Sequence, residues 1–144
     1  MLMSRHHRRA ITGFTLVELL VVLAILGLLA GLVGPRILGQ LGGAKSKTAA
    51  VQIKDLEQAS ELFKLDVGRF PNNEEGLEAL VTRPGSVGGW KGPYLKKATI
   101  PKDPWGNPYH YESPGKRGDI DIYSLGADNG PGGEDENADV GNWQ

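Results

Sequence analysis

Two sets of carboxylates in this 144-residue chain are placed where they could do chemistry. The first is a single residue, Glu18. It lies in the apolar stretch 14–34, a run of 21 positions interrupted by a polar side chain only at Thr15 and Glu18. A charged side chain at the centre of a bilayer costs about 2.5–3.5 kcal/mol on insertion scales, and less near the interface. A carboxylate kept at that cost needs a partner. The second set is Asp128, Glu134, Asp135, Glu136 and Asp139, five carboxylates within twelve residues rich in glycine. Hard oxygen donors of this kind suit Ca2+, which takes 6–8 of them. The loop is not an EF-hand, because its third and fifth positions are Gly130 and Gly132. On residues alone it reads either as a solvated acidic tail or as a cation loop, and both readings stand. No catalytic set accompanies them. His6 and His7 fall in the first 13 residues, and His110 stands apart from any nucleophile motif. The glycines at 85, 88 and 89 lack the strand-to-helix setting of a phosphate loop. The chain is expected not to be an enzyme.

The elements that must position these groups are set by the pattern along the chain. Stretch 14–34 is long enough, at roughly 30 Å as a helix, to cross a hydrocarbon core. It is preceded by Arg5, Arg8 and Arg9 with no acid among residues 1–13. The positive-inside rule holds those arginines in the cytoplasm and sends the rest of the chain outward. A secretory signal places its apolar core before a small-residue cleavage site. Here the small residue, Gly13, comes first, so a cut after it would remove the basic segment and leave the apolar helix in place. An uncut signal anchor is the alternative reading. Phe14 and Glu18, at i and i+4, are expected to share a helix face. Gly27, Ala30, Gly31 and Gly34 give small-xxx-small spacing that permits close helix approach.

Pro35 removes one helical hydrogen bond, and Gly39, Gly42 and Gly43 each weaken a helix by up to about 1 kcal/mol relative to alanine. Residues 35–43 therefore read as a bent or meltable hinge. From Ala44 an amphipathic helix is expected, with Ala49, Ile53, Leu56, Ala59, Phe63 and Val67 at 3–4 spacing. Gly68 and Pro71 end it. A short helix over residues 74–81, capped by Asn72 or Asn73, is expected to turn Leu77, Leu80 and Val81 inward. Residues 82–93 read as loop. Tyr109-His110-Tyr111 and the alternating Asp119-Ile120-Asp121-Ile122-Tyr123 read as strands. The result is an α+β arrangement, a long N-terminal helix on a small antiparallel sheet.

The balance of charge and composition narrows the function classes. A formal net charge of −1 with no basic stripe gives no basis for nucleic-acid binding. No cysteine is present, so no disulfide staples the domain. Beyond residue 34 about 110 residues remain, enough for one small domain. Their many glycines and prolines point to a loop-rich exterior.

Gly13 followed by Phe14-Thr15-Leu16-Val17-Glu18 and an apolar helix resembles the processing signal of type IV prepilins and pseudopilins. The resemblance extends through Gly68-Arg69-Phe70-Pro71, Glu75-Gly76-Leu77, Gly92-Pro93-Tyr94-Leu95, Asp103-Pro104-Trp105-Gly106-Asn107-Pro108-Tyr109, Asp121-Ile122-Tyr123-Ser124-Leu125-Gly126-Ala127-Asp128 and Ala138-Asp139-Val140-Gly141-Asn142-Trp143. Over that length the chain is similar to the major pseudopilins of the type II secretion system. The resemblance implies a type IV pilin-like fold and four regions: a cleaved leader 1–13, a transmembrane and filament-core helix 14–34, a hinge 35–43 and a periplasmic domain 44–144. It implies cleavage between Gly13 and Phe14 by a prepilin peptidase, and N-methylation of Phe14. It gives Glu18 a partner, the Phe14 amine of a neighbouring subunit, with Pro35 also serving assembly. It places one Ca2+ in the acidic loop, on the Leu125 carbonyl, Asp128, Asp139 and a carbonyl near Gly130. With no disulfide, that ion would close the loop and fix Trp143 against the domain. The implied function is polymerisation into a periplasmic pseudopilus that drives folded proteins across the outer membrane. The implied partners are minor pseudopilins and an inner-membrane assembly platform. A type IV pilin or competence pseudopilin, used in adhesion or DNA uptake, is the nearest rival; its members commonly close a C-terminal loop with a disulfide.

Overall fold

The computed structural model describes residues 10–144; Arg5, Arg8 and Arg9, expected on the cytoplasmic side, lie outside the described residues. The chain divides into two compact units, Met1–Ile37 and Leu38–Gln144. One helix, α1, is assigned from Leu16 to Val67. In the first unit its leucines, valines and isoleucines are all exposed, and by length and composition it can cross a membrane. Such a surface is stable only in lipid or against other apolar helices. Pro35 lies inside α1, and residues 35–43, expected as a hinge, are helical in the isolated chain.

The second unit is built on one face of α1. Ala49, Ile53, Leu56, Ala59 and Phe63 are buried there, as their spacing predicts. They meet Leu77, Ala79, Leu80, Tyr109, Ile120, Ile122 and Val140 in one core. A fully buried Leu, Ile or Phe contributes roughly 1.5–3 kcal/mol, so Ile53, Leu56 and Phe63 anchor the helix to the domain. Ser60 is also on this face; its hydroxyl donates to the Leu56 carbonyl at 2.8 Å, so no polar atom is stranded. Gly68, at φ 90°, ends the helix and donates its N–H to the Lys64 carbonyl at 2.8 Å.

The expected helix over 74–81 is shorter and tighter than its pattern suggests. Asn72 Oδ1 accepts the Glu75 N–H at 2.8 Å, and Glu75 Oε2 accepts the Asn72 N–H at 2.9 Å. This reciprocal box starts a turn, but Gly76 takes φ 57° and ψ −160° and leaves the helical path. Beyond Gly76 runs a 3-10 helix, Leu77–Leu80, which buries Leu77, Ala79 and Leu80, while Val81 stays half-buried. The loop after it is held by aromatics. Trp90 Nε1 donates to the Ala79 carbonyl at 2.7 Å, and the Trp90 and Phe63 rings both pack edge-on to Tyr94.

Three antiparallel strands complete the unit, in the order β1-β2-β3: β1 is His110–Glu112, β2 Asp121–Ser124 and β3 Val140–Gly141. Tyr111 faces Ile122 in register, and Ser124 faces Val140. The first two strands lie within a residue or two of their expected places. The third was not expected. The fold class, a long helix with a small antiparallel sheet, is as the sequence indicates.

Candidate functional site

The start of α1 holds the first set. Thr15 precedes the helix, and its Oγ1 accepts the Glu18 N–H at 3.1 Å. Glu18 Oε2 in turn accepts the Thr15 N–H at 3.2 Å. Two orphan donors of the first turn are thereby satisfied reciprocally, the arrangement called a capping box. Its sequence signal, Thr-x-x-Glu before an apolar run, was present. The box corrects the expected geometry of Phe14. Because Thr15 caps the helix, Phe14 stands one residue before the cap and two before the first helical residue, Leu16, not on the helix face. Phe14 is 91 % exposed, and Gly13 beside it is exposed too. The Gly13–Phe14 bond thus sits in exposed, non-helical backbone.

The C-terminal loop holds the second set. Ser124 at the end of β2 donates its hydroxyl to Asp103 Oδ2 at 2.7 Å and accepts the Gly126 N–H at 3.1 Å. Asp103, 4 % exposed, also takes the Trp105 and Asn107 N–H groups on Oδ1 at 3.1 and 2.8 Å. This buried carboxylate ties the Asp103–Asn107 turn to the entrance of the acidic loop, a role that sequence reasoning missed. Within the loop, Asp128 Oδ1 accepts the Gly130 N–H at 3.1 Å, and Asp139 Oδ2 accepts the Gly132 N–H at 3.0 Å. Asp139 Oδ1 is buried and has no hydrogen-bond partner. Leu125 and Asp139 border one recess, about 440 Å3, with Trp143 and Tyr123. Asp128 is exposed and does not line it. Among the described residues no three acidic or histidine side chains converge as a metal cluster.

The residues fit an oxygen-coordinated cation in one specific respect. An unpaired buried carboxylate oxygen is costly unless a proton donor or cation meets it, and Asp139 Oδ1 is such an oxygen. A cation at this oxygen would need further oxygen donors, from carboxylates or carbonyls. Trp143 also borders the recess. Its ring packs on Tyr123 at 5.7 Å, and the Arg117 guanidinium lies 3.9 Å over it. His110 also stacks on Tyr123, at 5.0 Å.

Arg69, Glu75, Tyr111 and Tyr109 tie parts of the domain together. Arg69 donates from Nη1 and Nη2 to the two Glu75 oxygens at 2.7 and 2.8 Å, which holds that carboxyl below its ordinary range. Burial pushes the Tyr111 hydroxyl up to about 12, so it stays a donor, to the Pro71 carbonyl at 2.6 Å. Burial likewise raises Tyr109, whose hydroxyl donates to Gln52 Oε1 on α1.

A bare apolar helix with a capped, exposed N-terminal junction, continuing into a helix-on-sheet unit, is the architecture of pilin-like subunits. A solved structure of the major pseudopilin from the type 2 secretion system of enterohaemorrhagic Escherichia coli matches with a TM-score of 0.62 and 34% identity, covering 73% of this chain and 87% of that one. Residues 36–143 match the family model of type II secretion system protein G, and residues 8–34 match the prokaryotic N-terminal methylation motif. The chain belongs to the type II secretion system protein G family. Among its relatives are two named type II secretion system core protein G. The one from Pseudomonas aeruginosa is 48% identical, over 94% of this chain and 97% of the relative. The one from Vibrio cholerae is also 48% identical, over 92% and 91%.

Proposed function

We propose that this chain is the repeating subunit of a type II secretion pseudopilus, an open helical polymer that drives folded proteins across the outer membrane. The observation that carries the proposal is the first unit of α1. Its large apolar side chains are exposed in the isolated chain, and it begins at a junction of the kind a prepilin peptidase cuts. Lipid covers that surface in the stored subunit, and neighbouring helices cover it in the filament. A head-to-tail contact that does not close on itself gives a filament, not a ring.

In this reading residues 1–13 are removed between Gly13 and Phe14, and the new Phe14 amine is methylated. Glu18, which caps its own helix through Thr15, then gains a charged partner in the amine of a neighbouring subunit. Opposite charges attract roughly fourfold more strongly at a dielectric near 20 than in water, so the pair sets register as the helix leaves the bilayer. The segment 35–43, with Pro35 and three glycines, supplies the place where α1 can loosen on assembly. The N-terminus lies in the cytoplasm, a single span crosses the inner membrane, and the domain 44–144 is periplasmic. Minor pseudopilins, a prepilin peptidase and an inner-membrane assembly platform are the partners.

The acidic loop would hold Ca2+ through the Leu125 carbonyl, Asp128, Asp139 and a carbonyl near Gly130. When bound, the ion supplies a positive centre for several oxygens at once, and its binding energy becomes part of the folding energy. Asp139, the last residue of the loop, ties back to its middle through the Gly132 N–H on one oxygen; its other oxygen, buried and unpaired, would face the ion.

Mass spectrometry of the chain purified from membranes tests the processing step. The expected mass is that of residues 14–144 plus one methyl group. A chain that keeps residues 1–13 would instead be a plain signal anchor.

A further inference from the structure

We propose that the 3-10 helix Asp135–Asn137 is a latch on α1, with Glu136 seated on the bare backbone of Gly42, so that the C-terminal loop sets how far unwinding can spread along the 35–43 segment. Among the glycines of α1, only Gly42 is crowded. A methyl group built on Gly27, Gly31, Gly34, Gly39 or Gly43 meets nothing, whereas one built on Gly42 would overlap the Glu136 side chain. Gly42 is also buried, alone within 35–43. Glu136 belongs to a turn none of whose residues is buried, so hydrophobic packing does not hold it. Backbone contacts do. The Ala127 N–H donates to the Glu136 carbonyl at 2.8 Å, and the Asn137 N–H donates to the Glu134 carbonyl at 3.0 Å. Gly126 closes against the same turn, where a Cβ would stand 2.8 Å from the Glu136 and Ala138 carbonyl oxygens. The turn is thus fixed to the segment after β2 on one side and to α1 on the other.

The consequence lies in local stability. Gly39, Gly42 and Gly43 make this the weakest part of α1 by propensity, and a helix frays where no tertiary contact protects it. Gly39 has no neighbour within reach of a Cβ, and Gly42 has the loop. Unwinding that starts near Pro35 therefore stops at Gly42 while the turn is docked, and it reaches Gly43 and Ala44 when the turn lifts. The bearing of this on assembly rests on the filament reading above; the contact and its effect on helix stability do not.

Amide hydrogen exchange on the full chain in detergent micelles, before any assembly, tests the latch. In Glu136→Ala, exchange over residues 42–46 should rise by about threefold to tenfold, with residues 53–63 unchanged. Glu136→Gln keeps the side-chain stem and should behave as the parent chain. Gly42→Ala splits the alternatives by sign. Helix propensity alone predicts slower exchange over 40–46 by about fivefold. The latch predicts faster exchange at Ala127 and Asn137, whose bonds hold the displaced turn. Unchanged exchange over 42–46 in Glu136→Ala, or a slowed helix with an undisturbed loop in Gly42→Ala, would overturn it. Both readouts come from the unassembled subunit, so a failure to form filaments leaves them intact.

Discussion

Replacing Glu18 with alanine is expected to reduce filament yield by at least roughly tenfold while leaving the chain in the membrane. The capping geometry sharpens this expectation, because Glu18 has two separable jobs. In the isolated subunit its carboxylate accepts the Thr15 N–H and completes a capping box. In the proposed filament its charge meets the Phe14 amine of a neighbour. Glutamine can fill the third helical position of a capping box nearly as well as glutamate, but it carries no charge. Glu18→Gln should therefore keep the helix start and still fail to assemble. Thr15→Ala does the reverse: it removes the cap, at a cost of about 1 kcal/mol, and keeps the charge, so filaments should still form. Electron microscopy of sheared filaments, with membrane-fraction blots as the control, reads all three. Normal filaments from Glu18→Gln would show that the cap, not the charge, is what assembly needs.

Removing calcium is expected to produce the second large effect. If the loop binds the ion at a hundred times its dissociation constant, the ion stabilises the fold by about 2.7 kcal/mol. For a domain of this size, that shifts the melting temperature by about 10–20 °C. Thermal unfolding of the full chain in detergent, with and without a chelator, measures it. Asp128→Ala and Asp139→Ala should each abolish the chelator's effect, but they differ before any ion is removed. Asp139 also accepts the Gly132 N–H and leaves a buried oxygen unpaired, whereas Asp128 is exposed and accepts only the Gly130 N–H. Asp139→Ala thus changes the ion-free fold more than Asp128→Ala. A melting temperature that ignores the chelator would remove calcium from the loop.

The parts of this fold that could be read from the sequence are those with a single repeating cause. The face Ala49–Ile53–Leu56–Phe63 obeys the helical period because one continuous surface is buried, and its burial matches the pattern. β1 and β2 show alternation or aromatic enrichment, and they lie close to their expected places. β3 has no such signal. It is two residues long, and a side chain completes its edge: Asn142 Oδ1 accepts the Ile122 N–H at 3.1 Å and Asn142 Nδ2 donates to the Ile120 carbonyl at 3.0 Å. The helix expected over 74–81 fails at one residue, Gly76, whose positive φ is invisible to a hydrophobic pattern. In the candidate site the pattern was also uneven. Thr15-x-x-Glu18 carried a readable capping signal beneath the more conspicuous apolar run. The Asp103–Ser124 tie and the seat of Glu136 on Gly42 join residues far apart in sequence, and no local spacing encodes them.

The most direct measurement of the proposed function is secretion itself. A strain lacking this gene should retain folded exoproteins in the periplasm, and the intact chain supplied in trans should restore their appearance in the medium. Normal export from the deletion strain, accompanied by loss of adhesive surface fibres or of DNA uptake, would contradict a secretion pseudopilus and point to a pilus of another kind.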